Sequence, residues 1–390
     1  MKPLDGVRVV ELGGFIAGPY AGMLLGELGA DVIKVESPGQ GDPFRGWGDD
    51  GYSAHFQAYN RNKRSLTLNL RTDKGREIFY RLIASVDVVI ENFRPGVPER
   101  LGVDYPTLSA RNHRLIYCSI SGFGQQGPYR DRPSYDTVAQ ALSGLSSLYL
   151  DPTRPRLVGP ALSDGLAGLF ACYGVLGALV ARHRTGRGCL VETSMLESAV
   201  AFLTEAFQRY FVTGEVPGPH TRPRSAQAYV LVARDGQPIA LHLSSPPKFW
   251  EALVRALGRA ELAEDPRFRD WDSRVKHYEE LEAILEEAFK DRPRDEWLKI
   301  LVECDVPCAP VLRIDEVLRD PQVSFLGLVV EMSHASKGTT RGLRSPVRFN
   351  GSTACAAQAP PELGEQTEEI LRELGYDAEQ VMALRAEGIV

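Results

Sequence analysis

The chain has little of what would place it outside the cell, in a membrane or on nucleic acid. Only 6 of its 390 residues are cysteine, and they are scattered. Cys304 and Cys308 form the one close pair, with no matching CxxC and no nearby His to complete a zinc set, so reduced thiols and no metal site are expected. Long apolar runs are scarce as well. The longest uncharged stretch, residues 165–181, is shorter than the roughly 20 apolar residues of a membrane span and carries four glycines, which reads as a buried core helix with close-packed neighbours. The opening Met1-Lys2-Pro3-Leu4-Asp5 leads straight into strand-like sequence rather than an apolar leader, so a cytoplasmic location is expected. A basic excess is missing: 45 Lys and Arg stand against 51 Asp and Glu, which argues against nucleic acid as the main partner. Also absent is the GxGxxG spacing of a nicotinamide site, since the first turn reads Gly13-Gly14-Phe15-Ile16-Ala17-Gly18. Glu36 stands about where a ribose-binding acid would, yet without that spacing a nicotinamide-dependent oxidoreductase is only a weak alternative.

What is present is the material for a large α/β core, with 43% hydrophobic and 25% charged residues. A β-α-β unit opens the chain: a strand over 8–12, a helix begun near Pro19 and ended at Gly29, and a strand over 31–35. Further strands are expected at 88–90, 115–118 and 190–193, each after helical sequence, as in a largely parallel, doubly wound sheet. Helices are expected from Asp164 to about Ala181 and from about Met195 to Val212. Residues 1–213 then form the first part of a Rossmann-like large domain. Residues 214–226, rich in Pro and Gly, read as a linker. Residues 227–322 read as a small α+β domain, with a hairpin at Asp235-Gly236 and helices near 248–257, 278–289 and 295–303. Residues 323–390 return to the large domain, with strands near 328–332 and 347–349 and two closing helices.

Charge is uneven along the chain. Residues 61–100 hold nine Lys and Arg against five Asp and Glu, while 251–300 carry an acidic excess, so a small polyanion is drawn to the first region. Asn60-Arg61-Asn62-Lys63-Arg64-Ser65, Leu68, Arg71 and Lys74, followed by Glu91-Asn92-Phe93-Arg94-Pro95-Gly96, suit phosphates and a purine: arginine forks for phosphate, Phe93 for stacking, and Asn92 for base edges or pantetheine amides. The plain alternative is a solvated, charged loop surface. Asp164, after Gly159-Pro160-Ala161-Leu162-Ser163 and at the expected start of the long helix, is placed either as an N-cap or as a carboxylate nucleophile favoured by free N–H groups and the helix dipole.

In order and spacing, several stretches resemble the family III CoA-transferases, the group related to formyl-CoA and carnitine CoA-transferases. They are Ala17-Gly18-Pro19, Gly29 to Glu36, Asn62 to Ser65, Glu91 to Gly96, Tyr135-Asp136, Gly159-Pro160 up to Asp164, Gly364-Glu365 with Thr367, and Leu374-Gly375-Tyr376. The resemblance covers essentially the whole chain and implies an interlocked homodimer that moves CoA from an acyl-CoA to a small carboxylic acid, with no cofactor beyond CoA itself. It implies that Asp164 attacks the thioester to give an aspartyl acyl anhydride. It also implies that Ala17, Leu68, Arg71, Asn92, Phe93, Arg100 and Tyr135 line the CoA path. The formyl-CoA branch has Gln where Ile16 stands and a glycine run where 214–226 has only Gly214 and Gly218, so a different catalytic loop is expected. Ser37 replaces an arginine of that branch, which passes its phosphate contact to Lys63 or Arg71. An α-methylacyl-CoA racemase on the same fold is the nearest rival, but the position of its histidine is Tyr135, whose phenol titrates at about 10. A CoA-binding protein without chemistry would need Asp164 to be a cap alone.

Overall fold

The computed structural model describes residues 1–48, 50–244 and 246–390. Its contacts divide the chain into two units, one of residues 1–146, 157–204 and 326–390 and another of 147–156 and 205–325.

In the first unit six strands form one parallel sheet: β1 (Arg8–Glu11), β2 (Asp31–Glu36), β3 (Lys63–Thr67), β4 (Val88–Glu91), β5 (Ile116–Ser121) and β6 (Leu190–Ser194), in the order β3-β2-β1-β4-β5-β6. Strand residues alternate between two apolar layers. Val10, Ile33, Leu66, Val89 and Tyr117 meet helix Asp73–Ile83 and the closing helices Thr367–Glu373 and Ala378–Ala386. Val9, Val32, Val88, Ile116 and Cys118 meet helix Ala17–Glu27 and the long helix Leu162–Thr185. A strand covered on both faces is largely apolar at successive residues, hence the Val and Ile pairs of β1, β2 and β4, with the buried Lys34 of β2 as an exception. The expected doubly wound α/β architecture is therefore present.

In the second unit β7 (Ala228–Val232), β8 (Pro238–His242) and β9 (Cys308–Pro310) pair antiparallel. They cover a core that includes Trp250, Leu253, Phe268, Leu281, Leu285, Phe289 and Trp297. Gly236, at φ +76°, turns the hairpin where Asp235-Gly236 predicted it.

Some elements depart from expectation. β3 lies in the cationic stretch read as a binding segment; its charged residues hid the strand. The expected helix over 195–212 is two helices, Met195–Phe202 and Thr204–Thr213, because the Leu203 N–H tightens onto the Val200 carbonyl and ends the first. Within 214–226, residues Thr221–Ala226 are helical and stop at Gln227, which adopts φ +50°. Residues 347–349 form no strand beyond an isolated bridge from Phe349 to Ser352. The partner of β10 (Val329–His334) is β11 (Gly338–Leu343), reached through a turn that Gly338 permits at φ +73°. The long helix begins at Leu162, with Ala161 as its cap, two residues before Asp164. At 24 residues it is long and apolar enough, by length and composition only, to cross a membrane. It packs instead on β5, β6 and helix Ala17–Glu27, and Leu169, Phe170, Tyr173 and Val180 remain exposed.

Candidate active site

Strand order reverses between β1 and β4, so the loops leaving these two strands diverge. Such a switch point leaves a crevice at the carboxyl ends of the strands. Here the crevice is a cavity of about 880 Å³, walled by Gly13, Gly14 and Phe15 after β1, Glu36 and Ser37 around the end of β2, Leu68 to Arg71 after β3, and Asn92 to Arg94 with Arg100 after β4.

Asn92 holds the two diverging loops together. Its Nδ2 donates to the Gly14 carbonyl and its Oδ1 accepts the Gly14 N–H, both at 2.9 Å. A Cβ on Gly18 would stand 3.0 Å from that Oδ1, a tight contact that glycine avoids. The amide expected to read a base or a pantetheine arm thus spends one donor and one acceptor on the protein itself. Next to it Phe15 adopts φ +63°, a left-handed conformation that costs about 1–2 kcal/mol for a residue with a side chain. Its N–H donates to Asp42 Oδ1 at 3.2 Å.

Beneath the cavity lies a buried ionic network. Glu11 is shared by two fully buried lysines, with Lys34 Nζ 2.7 Å from one oxygen and Lys63 Nζ 2.6 Å from the other. Lys34 also pairs with Asp42 at 2.9 Å and donates to the Gly13 carbonyl at 2.8 Å. Lys63 donates to Asn60 Oδ1 and to the Pro19 carbonyl, both at 2.8 Å. Burial acts to discharge both ammonium groups. At Lys34 it is outweighed by Asp42 and Glu11, which hold the proton more tightly than usual. At Lys63 burial prevails over Glu11, and the group is pulled down to about 8.

This geometry corrects one expectation. Lys63 has no exposed side-chain surface and no donor left over, so it is not a phosphate contact. Arg64 is likewise engaged, by Asp31, Glu369 and Glu373. Glu36 receives a bidentate fork from Arg45 at 2.7 and 2.8 Å, the Ser65 hydroxyl at 2.7 Å and the Asp42 N–H at 2.9 Å, which leaves it unable to serve a ribose. The dinucleotide reading has no acid to stand on. The cations that remain are Arg71, Arg94 and Arg100. All three are exposed on the cavity rim and make no ion pair among the described residues. Leu68, 1% exposed, forms floor rather than rim.

Ala17, Tyr135 and Asp164 lie outside the cavity wall. Ala17 opens helix Ala17–Glu27 and its carbonyl lies against Gly168 of the long helix, where a Cβ would stand 2.9 Å away. Phe15 links the two regions: it lines the cavity and its ring meets the exposed Tyr135 edge-on at 5.8 Å.

Asp164 is not the N-cap that its position suggested. It is the third residue of the helix, and its carboxylate makes no hydrogen bond or ion pair among the described residues. The backbone donors expected to favour it are occupied by another acid. Asp136 Oδ1 accepts the N–H of Ser163 at 2.8 Å, the N–H of Asp164 at 3.2 Å and the Ser163 hydroxyl at 2.8 Å. Asp136 Oδ2 accepts from Gln140 Nε2 at 2.5 Å. Burial first, and the charge of Asp136 second, push the Asp164 carboxyl up to about 7. In the sequence Asp136 stands out only as part of the Tyr135-Asp136 motif. Its task was hidden because the partner lies 28 residues away. Among the described residues no cluster of three His, Cys, Asp or Glu could hold a metal ion.

Residues 4–367 match the family described as CoA-transferase family III. Over all of its length the chain is 34% identical to succinyl-CoA:glutarate CoA-transferase of Mus musculus, covering 91% of that protein. It is also 33% identical to succinyl-CoA–D-citramalate CoA-transferase of Chloroflexus aurantiacus, covering all of this chain and 98% of the relative. Among solved structures, a CaiB/BaiF family protein from Brucella suis superposes with a TM-score of 0.84 at 38% identity, over 95% of this chain and 99% of that one.

Proposed function

Because the chain belongs to CoA-transferase family III and is a CoA-transferase, we propose that it moves CoA from an acyl-CoA to a free carboxylic acid through an acyl anhydride on Asp164. The observation that carries this reading is the Asp164 carboxylate: partly buried, unpartnered among the described residues, and more basic than an ordinary carboxylate. An anion that neither solvent nor protein fully stabilises is a better nucleophile. In the first step a carboxylate oxygen of Asp164 attacks the thioester carbon, the C–S bond breaks, and CoA leaves as thiolate. The thiolate then attacks the aspartyl carbon of the anhydride, releasing the donor acid and leaving CoA on Asp164 as a thioester. The acceptor carboxylate displaces CoA to form a second anhydride, and the thiolate takes the new acyl group, restoring the Asp164 carboxylate. Atoms balance without a metal, a redox cofactor or water.

In this reading CoA sets its phosphates against Arg71 and Arg100 and its purine against Phe93, a reading supported by their shared place on one cavity wall. The names of the relatives favour short dicarboxylates as donor and acceptor. The enzyme is proposed to work in the cytoplasm as a homodimer.

Asp164→Asn tests the mechanism. Transfer should fall at least about a thousandfold, some 4 kcal/mol, because an amide forms no acyl anhydride. Wild-type protein given succinyl-CoA alone should gain an acyl mass that hydroxylamine converts to a hydroxamate at Asp164. Near-normal turnover by the folded Asn variant would end the proposal.

A further inference from the structure

We infer that Asp136 is a positioning residue for Asp164: by taking two of the free N–H groups at the head of helix Leu162–Thr185, those of Ser163 and Asp164, it denies them to the Asp164 anion and keeps that anion a strong nucleophile. The inference rests on the proposed role of Asp164 and adds a second carboxylate to it.

A helix N-terminus ordinarily stabilises a nearby carboxylate through its free donors and its dipole, and so weakens it as a base. Here the donors of Ser163 and Asp164 both point at Asp136 Oδ1. Asp136 is well held in this position, since Gln140 ties its other oxygen and also reaches the Pro160 carbonyl at 3.3 Å. The Ser163 hydroxyl bonds both Asp136 Oδ1 and the Asp136 carbonyl, each at 2.8 Å. One acid therefore receives the stabilisation that the helix offers, and the other receives like-charge repulsion. The remaining groups around Asp164 do not offset this. From helix Ala54–Tyr59 comes the Tyr59 phenol, whose proton is held more tightly by burial and by Asp164. On helix Ala17–Glu27, Tyr20 packs on Gly168, and Glu27 is paired with Arg61. Glu197 of helix Met195–Phe202 receives the Ser194 hydroxyl at 2.6 Å, and neither it nor Glu192 of β6 acts on Asp164. Among the described residues, Asp136 is the charge that bears on the Asp164 carboxyl.

The test is the pH dependence of the first half-reaction. Enzyme is mixed with succinyl-CoA in single turnover from about pH 5 to about pH 9, and the acyl-enzyme is trapped with hydroxylamine. Asp136→Asn and Asp136→Ser both keep an acceptor for the helix N–H groups but remove the charge. In these variants the acid limb should move down by about one pH unit and the alkaline plateau should fall several-fold. Asp136→Glu, which keeps the charge, should hold the limb within about half a unit of wild type. One folded neutral variant, checked by thermal melting, suffices. An unmoved acid limb in a folded neutral variant would overturn the inference while leaving the Asp164 mechanism intact. Absence of any trapped acyl group in the wild type would overturn both.

Discussion

Lys63 and Arg71 belong to one cationic stretch, and burial alone divides their roles. The lysine, with three oxygen partners and no exposed surface, is structural; the arginine, on the cavity rim without an ion pair, is free to meet a phosphate. Arg71→Ala and Arg100→Ala should each raise the KM for an acyl-CoA by roughly tenfold, the worth of a charge-assisted hydrogen bond, and flatten its rise with salt. Unchanged KM and salt slope in both variants would mean that the phosphates bind elsewhere. Asp164 has its own signature in stability. Its carboxyl is raised to about 7 in the folded protein, against about 3.9 in the unfolded chain. The folded state therefore binds the extra proton between these values, and stability is lost as pH climbs from about 4 through about 7. Asp164→Asn removes that titration. Urea denaturation at pH 5 and pH 8 should show the variant gaining on wild type at the higher pH, and a constant difference would contradict the raised carboxyl.

Among the elements, helix Ala17–Glu27 shows how a local rule is overridden by packing. Gly22 lies in its interior, where alanine is normally favoured by about 1 kcal/mol. A Cβ there would stand 2.2 Å from Glu11 Oε2, the oxygen that pairs with Lys63. Gly22→Ala should therefore destabilise by about 2 kcal/mol or more, through displacement of a buried ion pair, and be measurable in urea titration. A stabilised Gly22→Ala protein would show that the network tolerates rearrangement. β3 illustrates the same override from the other side. Its Lys63 and Arg64 give no apolar alternation, yet they pair in register with β2, Lys63 opposite Val32 and Arg64 opposite Ile33. Glu11 and Asp31 supply the countercharges that make such a strand affordable.

For the whole molecule, the long helix leaves Leu169, Phe170, Tyr173 and Val180 exposed, and the second unit leaves Tyr210, Phe211 and Val212 exposed. They fit the proposed homodimer, since contact with a second copy would cover them. Light scattering should give about twice the 43.0 kDa chain mass and hold that value on dilution to assay concentrations. A monomer there would refute the assembly.

The sequence by itself determined the parallel sheet apart from β3, because strands buried on both faces are largely apolar at successive residues and the helices between them end at residues such as Gly29, at φ +100°. Its cationic stretch and its resemblance to the family III CoA-transferases also brought Leu68, Arg71, Asn92, Phe93 and Arg100 into view, and in the doubly wound fold these residues gather along one edge of the sheet. What only the tertiary structure decided were pairings between distant residues: Asn92 with Gly14 across 78 positions, Lys34 with Glu11 across 23, and Asp136 with the head of the long helix across 28. Periodicity is a property of neighbouring residues and can be read along the chain. Whether a lysine is buried against a glutamate, or an aspartate is stripped of the donors its helix would give it, depends on which loops close over which strands, and no local pattern carries that information.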